Sequence, residues 1–150
     1  MVPVIKSKIA NIIKAADEGD AKAQFLLSMF YQKGFLVDYD EEKWLYYLRK
    51  AAEQDLPIAC LAMGTLYEDR KFEEADPEMA KQWYKKAADL GVTEAMRSLA
   101  FLIIEGEEPD YEEFLKLLEK ASENGNGYAA YDGDKSGHRF LLRHRLHQGA

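Results

Sequence analysis

The sequence has few of the residues that cross-link a chain or anchor it in a membrane. Cys60 is its one cysteine, which excludes an internal disulfide, and its apolar surroundings favour a small buried packing residue over a reactive thiol. No apolar run approaches the roughly 20 residues of a membrane-spanning helix. No basic stretch followed by an apolar segment and a cleavage site opens the chain. We therefore expect a cytoplasmic protein with no membrane partner.

Motifs that carry catalysis are also missing from the sequence. There is no glycine-rich phosphate loop, no nucleophile flanked by small glycines and no cluster of metal ligands. Acidic pairs fall in loops or first helical turns, where water and the helix dipole stabilise them: Glu73-Glu74, Glu107-Glu108 and Glu112-Glu113. We therefore expect no enzyme, no metal site and no cofactor.

Charge is distributed unevenly along the chain. The net charge is −7, yet residues 135–150 contain no acid and four basic residues, Lys135, Arg139, Arg143 and Arg145. The preceding body is therefore strongly acidic and would repel phosphate backbones, which disfavours nucleic acid as a partner. His144 and His147 lie three residues apart in this basic segment, a spacing that metal sites use. Without a nearby carboxylate or cysteine, a metal-binding or enzymatic role through them is the less favoured alternative.

A recurring triplet organises the rest of the chain. Lys-Ala-Ala begins at residues 14, 50 and 86, and Lys-Ala-Ser begins at 120, which gives spacings of 36, 36 and 34 residues. Periods in this range are typical of helix-turn-helix solenoids. The apolar fraction of 47% and the charged fraction of 31% are those of a folded protein.

Each unit has the same internal order of an apolar helix, a polar loop and a second helix. Asp40, Asp76 and Asp110 precede the second helices and are predicted N-caps, because a carboxylate there accepts hydrogen bonds from unpaired amides. Gly91 and Gly125 follow the triplets and are predicted to close helices in the left-handed conformation. The small paired alanines predict that a neighbouring helix approaches closely there.

These residues together resemble the Sel-one-like repeat family, which is related to the tetratricopeptide repeats. The resemblance covers about residues 4–128, and the second unit matches best, with Ala59, Met63, Gly64, Tyr67, Asp76, Ala80, Trp83, Tyr84, Lys86, Ala87, Ala88 and Gly91. The other units depart from the pattern. The first has Ser28, Trp44 and Asp55 in place of glycine, alanine and glycine, and the third has Ala100, Ile103 and Leu117-Leu118 in place of glycine, tyrosine and Trp-Tyr.

The resemblance implies an all-α fold, a right-handed α-solenoid of helix-turn-helix repeats. We expect this solenoid over residues 1–131, with an N-terminal half-repeat cap at about 4–19 and repeats at about 20–55, 56–91 and 92–125. Ile5, Ile9, Ile12 and Ile13 of the cap are expected to face the first full unit. Residues 132–150 lose the pattern and form either an atypical C-terminal cap helix or a basic tail. An incomplete last unit allows a monomer or a weak end-to-end dimer.

The resemblance also implies where a partner binds. In tetratricopeptide-type arrays, first-helix positions two before, two after and five after the Leu-Gly leucine line the concave face. These positions are Phe25, Met29 and Gln32; Leu61, Thr65 and Glu68; and Arg97, Phe101 and Ile104. Aromatic residues on the second helices are expected mostly to pack between units: Trp44, Tyr46, Tyr47, Trp83 and Tyr84.

We accordingly predict a non-enzymatic scaffold or adaptor whose concave face binds a protein or peptide partner. Phe25, Met29, Leu61 and Phe101 are the predicted anchors, because exposed apolar patches mark binding surfaces. Coverage of these residues by a neighbouring helix or by the C-terminal segment is the structural alternative. An immunity or inhibitor protein, whose acidic surface would attract a basic toxin or enzyme, is the more specific functional alternative.

Overall fold

The computed structural model describes residues 2–124, with side chains from residue 5 onward. Within that range the chain forms seven α-helices and no strand. Their bounds are α1 Val2–Asp17, α2 Ala21–Lys33, α3 Glu41–Glu53, α4 Pro57–Glu68, α5 Pro77–Asp89, α6 Thr93–Glu105 and α7 Tyr111–Asn124. Each helix packs mainly against the helices next to it in sequence. The all-α helical repeat fold predicted from the sequence is confirmed, and the segment 132–150 lies outside the described residues.

The second helix of each pair begins at an aspartate. The Asp40 carboxylate accepts a hydrogen bond from the Lys43 amide at 3.1 Å, Asp76 accepts one from Glu78 at 3.0 Å, and Asp110 accepts one from Glu113 at 3.0 Å. These bonds satisfy amides that have no partner within the helix. The predicted N-caps are therefore confirmed.

The triplets end their helices as the sequence predicts, and one residue other than glycine takes the closing conformation. Gly91 has a φ of 92°, which confirms its predicted left-handed conformation, whereas Gly125 lies outside the described residues. Asp55 replaces glycine in the first unit and also has a positive φ, 62°. Its Oδ1 atom lies 2.7 Å from the Lys86 Nζ atom of α5. Asp55 therefore adopts the left-handed conformation that usually favours glycine, and its ion pair with Lys86 links repeats 1 and 2.

The paired alanines lie at the centre of the main core. Ala51, Ala52 and Ala87 are completely inaccessible to solvent, so the helices approach as closely as the small side chains allow. A second, smaller core joins α1 to the first repeat through Ile12 and Ile13, which pack with buried Leu27. Ile9 is half-buried. Ile5 departs from expectation and stays 36% exposed, near the free end of α1.

Close packing explains the glycine of the second unit. A Cβ atom built on Gly64 would lie 2.6 Å from Cδ1 of Tyr84, a residue that is only 1% exposed. The ring of Tyr84 therefore occupies the space that any larger residue at 64 would need. The other repeats carry a larger residue at the glycine position and leucine at the tyrosine position: Ser28 with Leu48, and Ala100 with Leu118.

The second-helix aromatics divide into packed and exposed residues. Tyr84 is buried, and Trp44, Tyr47 and Trp83 are half-buried, as expected for packing between units. Tyr46 is the exception, because it is 54% exposed. Its ring meets the edge of Tyr47 at 5.1 Å, and the Lys50 Nζ atom lies 5.6 Å from its centroid. Tyr46 therefore lies on the surface beside the packed face.

Candidate functional site

An open apolar groove lies between the first helices of repeats 1 and 2. Its cavity volume is about 380 Å³. We call it the α2–α4 groove, because most of its lining comes from those two helices. The rest comes from α3 and from Asp69, which follows α4. The lining residues are Phe25, Ser28, Met29, Gln32, Trp44, Leu48, Ile58, Leu61, Ala62, Thr65, Leu66 and Asp69.

The bottom and the mouth of the α2–α4 groove differ in exposure. Leu48 and Leu66 are buried in the core, and Trp44 of α3 is half-buried beside them. At the mouth, Met29 is 43% exposed and Ile58 is 52% exposed. The helices thus present large apolar side chains to water on either side of an apolar floor, an arrangement typical of surfaces that bind other molecules.

Five of the nine residues predicted to line a binding face come together in this groove. They are Phe25, Met29, Gln32, Leu61 and Thr65. The Thr65 hydroxyl donates a hydrogen bond to the Leu61 carbonyl at 3.1 Å, so the methyl and hydroxyl groups of Thr65 are held in a fixed orientation. That these residues bind a partner stays a prediction.

The other four predicted residues do not line the groove. Glu68 accepts a hydrogen bond from the Tyr84 hydroxyl, which holds its carboxylate against α5. Arg97 and Ile104 of α6 are half-buried. Phe101 is 45% exposed and meets the edge of the Phe114 ring at 5.8 Å. The predicted positions of the first two repeats therefore meet in the α2–α4 groove, whereas those of the third repeat do not line it.

Ile58 is the residue that the sequence argument missed. It lies three positions before Leu61 on α4, so the two share one face of the helix. The spacing is visible in the sequence, but the binding positions carried over from tetratricopeptide-type arrays are Leu61, Thr65 and Glu68 on this helix and do not include residue 58. Trp44 was expected only to pack between units, and it does so while also lining the groove.

An acidic residue, Asp69, lies where the groove reaches the C-terminal end of α4. Asp69 lines it directly, and its Oδ1 atom accepts a hydrogen bond from the Lys71 amide at 2.9 Å. The neighbouring Glu68 carboxylate affects the pKa of Tyr84. Burial, followed by the hydrogen bond to Glu68, raises the pKa of Tyr84 from 10.0 to about 12. The Asp69 carboxylate at this end of the groove suits a cationic group of a bound molecule.

The groups expected to be chemically inert have ordinary structural surroundings. Cys60 is buried, its thiol donates to the Ala52 carbonyl at 3.5 Å, and burial raises its pKa. Glu74 pairs with Arg49 at 2.9 Å.

Among residues 2–124 no group of three or more His, Cys, Asp or Glu side chains is placed to hold a metal ion. His144 and His147 lie outside that range. No helix in the described part of the chain is long and apolar enough to cross a membrane.

Known proteins that match this chain contain the same kind of repeat. The family model described as Sel1 repeat matches residues 21–56, 57–92 and 93–126. The Sel1-repeat-containing protein YjcO of Escherichia coli K12 is 32% identical over 126 residues, which is 82% of this chain and 52% of that protein. The chain thus spans about half the length of the curated relatives it matches.

Solved structures share the same arrangement. A Sel1 repeat protein from Oxalobacter formigenes has a TM-score of 0.75 at 29% identity, covering 83% of this chain and 96% of that one. The protein c5321, a protective antigen of uropathogenic E. coli with an SLR fold, has a TM-score of 0.70 at 25% identity, covering 83% and 28% respectively. Cysteine-rich protein B of Helicobacter pylori has a TM-score of 0.59 at 26% identity, covering 81% and 94%.

Proposed function

The chain belongs to the Sel1 repeat family, and we propose that it is a non-enzymatic scaffold that holds a partner polypeptide in the α2–α4 groove. Sel1 repeat proteins generally mediate protein–protein interaction and are generally non-enzymatic. The observation that carries the proposal is the exposure of Met29 and Ile58, 43% and 52%, beside an apolar cavity of about 380 Å³. Folding leaves this apolar surface in water, so burying it against a partner stabilises a complex.

The groove also favours a particular partner segment. Phe25 and Leu61 add half-buried apolar side chains above the floor of the groove, which suits aromatic or branched aliphatic side chains of the partner. Asp69 at the α4 end adds a negative charge, so a lysine or arginine next to those apolar residues would be attracted there. The partner is therefore a polypeptide that presents an apolar residue with a basic residue beside it, in keeping with the acidic body of the chain.

The test is a peptide-display selection against the protein, followed by affinity measurements on the selected peptides. Met29→Glu with Ile58→Glu places two carboxylates at the mouth of the groove. Because both side chains are already partly exposed, the substitutions should leave the fold intact. We expect selected peptides to bind this variant about thirtyfold more weakly, as for the loss of a central anchor of about 2 kcal/mol.

A matched control separates the groove from general surface charge. Leu26→Glu with Tyr46→Glu makes the same change of charge at two exposed apolar residues, 38% and 54% accessible, that do not line the groove. Both variants are first checked for unchanged helicity and unfolding. Equal affinity of the two variants for the selected peptides would place binding elsewhere and refute the proposal.

A further inference from the structure

A second groove lies between the second helices of repeats 2 and 3, and it shares no residue with the α2–α4 groove. We call it the α5–α7 groove. Helices α5 and α7 both pack against α6, and α6 supplies Leu99 and Ile103 to the floor between them. The cavity has a volume of about 430 Å³. It is large enough for side chains of another molecule.

The floor is aliphatic because the third repeat departs from the family pattern here. Ile103 and Leu117 line this groove, and they stand where repeat 2 has Tyr67 and Trp83, 36 and 34 residues earlier. In repeat 2 those aromatic rings pack against the core. The smaller side chains of repeat 3 remove ring volume from the equivalent place. The equivalent face of α3 also has a cavity, of about 330 Å³ and lined by α3 residues such as Leu45 and Arg49, so the departure in repeat 3 changes the floor to aliphatic side chains of α6 and α7.

Four lysines surround this floor. Lys81 and Lys85 come from α5, and Lys116 and Lys120 come from α7, each pair one helical turn apart. Lys81 pairs with Glu78 at 3.3 Å and Lys116 with Glu112 at 3.0 Å. Lys85 and Lys120 form no ion pair with any residue in the described range 5–124. Glu78, Asp89 and Glu113 also line the groove, so four lysines against three acids give its lining a net charge of +1.

The equivalent place between α3 and α5 shows that this charge is not a requirement of the fold. At the positions corresponding to the four lysines, it has Leu45, Arg49, Gln82 and Lys86. Both of its cations are neutralised within the chain, Arg49 by Glu74 at 2.9 Å and Lys86 by Asp55 at 2.7 Å. Repeats 1 and 2 therefore pack without an unpaired lysine at these four positions, so the fold does not require Lys85 and Lys120 to be lysines without ion pairs in the described residues.

We infer that the α5–α7 groove is a docking site for an acidic segment of a partner protein, with an apolar side chain of that segment seated on Leu99, Ile103 and Leu117. Charge complementarity carries the choice of occupant. In a chain of net charge −7, the lining of this groove is net positive, because four lysines outnumber its three acids around an apolar floor. Carboxylates of the partner meet Lys85 and Lys120, and the aliphatic stems of the lysines extend the apolar surface.

The experiment uses two synthetic peptides of about 12 residues, roughly 18 Å long as a helix. One carries leucines along one face and glutamates on the other, and the second has lysine in place of every glutamate. Binding to the full chain is followed by amide NMR shifts and by fluorescence anisotropy. The acidic peptide should shift amides of residues 81–89 and 113–120, and its affinity should fall as salt is raised.

Variants decide whether the lysines are responsible. Lys85→Glu with Lys120→Glu should weaken the acidic peptide about tenfold, the effect of losing two exposed charge pairs. Lys6→Glu with Lys8→Glu is the matched control. It makes the same change of net charge on exposed residues of α1 and should leave the affinity unchanged.

Three results would overturn the inference: the lysine peptide binding as tightly as the acidic one, equal loss of affinity in both variants, or no amide shift in either segment. Inorganic phosphate is titrated alone as a further probe. If phosphate produces the same shifts at the same strength, the site takes small anions and the assignment to an acidic polypeptide is wrong. Because the α2–α4 groove has a separate set of lining residues, failure of one proposal leaves the other standing.

Discussion

Replacing Gly64 by alanine tests how tightly the second repeat is packed. An added Cβ atom would lie 2.6 Å from Cδ1, 2.7 Å from Cε1 and 3.0 Å from Cγ of Tyr84. The ring is 1% exposed and its hydroxyl is held by Glu68, so it cannot move aside without breaking other contacts. The substitution therefore forces either the ring or α4 to shift.

The expected cost follows from two opposing effects. Overpacking of a close-packed core typically costs about 1–3 kcal/mol. Alanine in the interior of a helix recovers roughly 0.5–1 kcal/mol relative to glycine. The cost of overpacking is larger than the gain in helix propensity. We therefore expect Gly64→Ala to lower the free energy of unfolding by about 1–2 kcal/mol, with a fall of several degrees in Tm.

Urea unfolding followed by circular dichroism measures this change, and a double-mutant cycle with Tyr84→Leu assigns it to the ring. Repeat 3 already combines Ala100 with Leu118 at the same two positions, so the double variant reproduces a pair that this chain uses. Its destabilisation should be smaller than the sum of the single effects by about 1 kcal/mol or more. A Gly64→Ala variant as stable as the wild type, or strictly additive effects, would refute the packing argument.

Two further predictions concern backbone strain and pH. Because Asp55 has a φ of 62°, Asp55→Gly should be more stable than Asp55→Ala by about 1 kcal/mol in urea unfolding, although both lose the ion pair to Lys86; equal stabilities would contradict the role of the left-handed conformation. Burial and the Glu68 hydrogen bond raise the pKa of Tyr84 from 10.0 to about 12, so its contribution to stability is complete below pH 10 and is lost as pH rises toward 12. Tyr84→Phe should reduce the fall in unfolding free energy over that interval, and an undiminished fall would show that other groups cause it.

Much of the fold follows from local chemistry that is visible in the sequence. Asp40, Asp76 and Asp110 cap helices because a short carboxylate at that position satisfies free amides whatever the rest of the chain does. The triplets and the period in the thirties predict stacked helix pairs, because small residues are needed wherever helices meet closely. These features depend on neighbours along the chain or on spacing, and a sequence displays both directly.

The candidate site could be predicted only in part. Transferred repeat positions identified Phe25, Met29 and Leu61, but the same positions also include Phe101, which packs against Phe114 and does not line the α2–α4 groove. These transferred positions predict which face of each first helix is turned toward a partner. The width of the gap between helices depends on side-chain volumes from several elements at once, and here Trp44, Leu48 and Leu66 set the floor.

What the sequence by itself determined is the order, the ends and the inward faces of the helices, since these arise from capping, glycine placement and apolar period. Only the tertiary structure decided which surfaces stay open. It showed that Tyr84 fills the space above Gly64, that Ile103 and Leu117 line an open groove between α5 and α7, and that Lys85 and Lys120 in this groove form no ion pair within the described residues. The physical reason is that cavities and uncompensated charges are properties of groups far apart in sequence. Each exists only once the helices have been brought together.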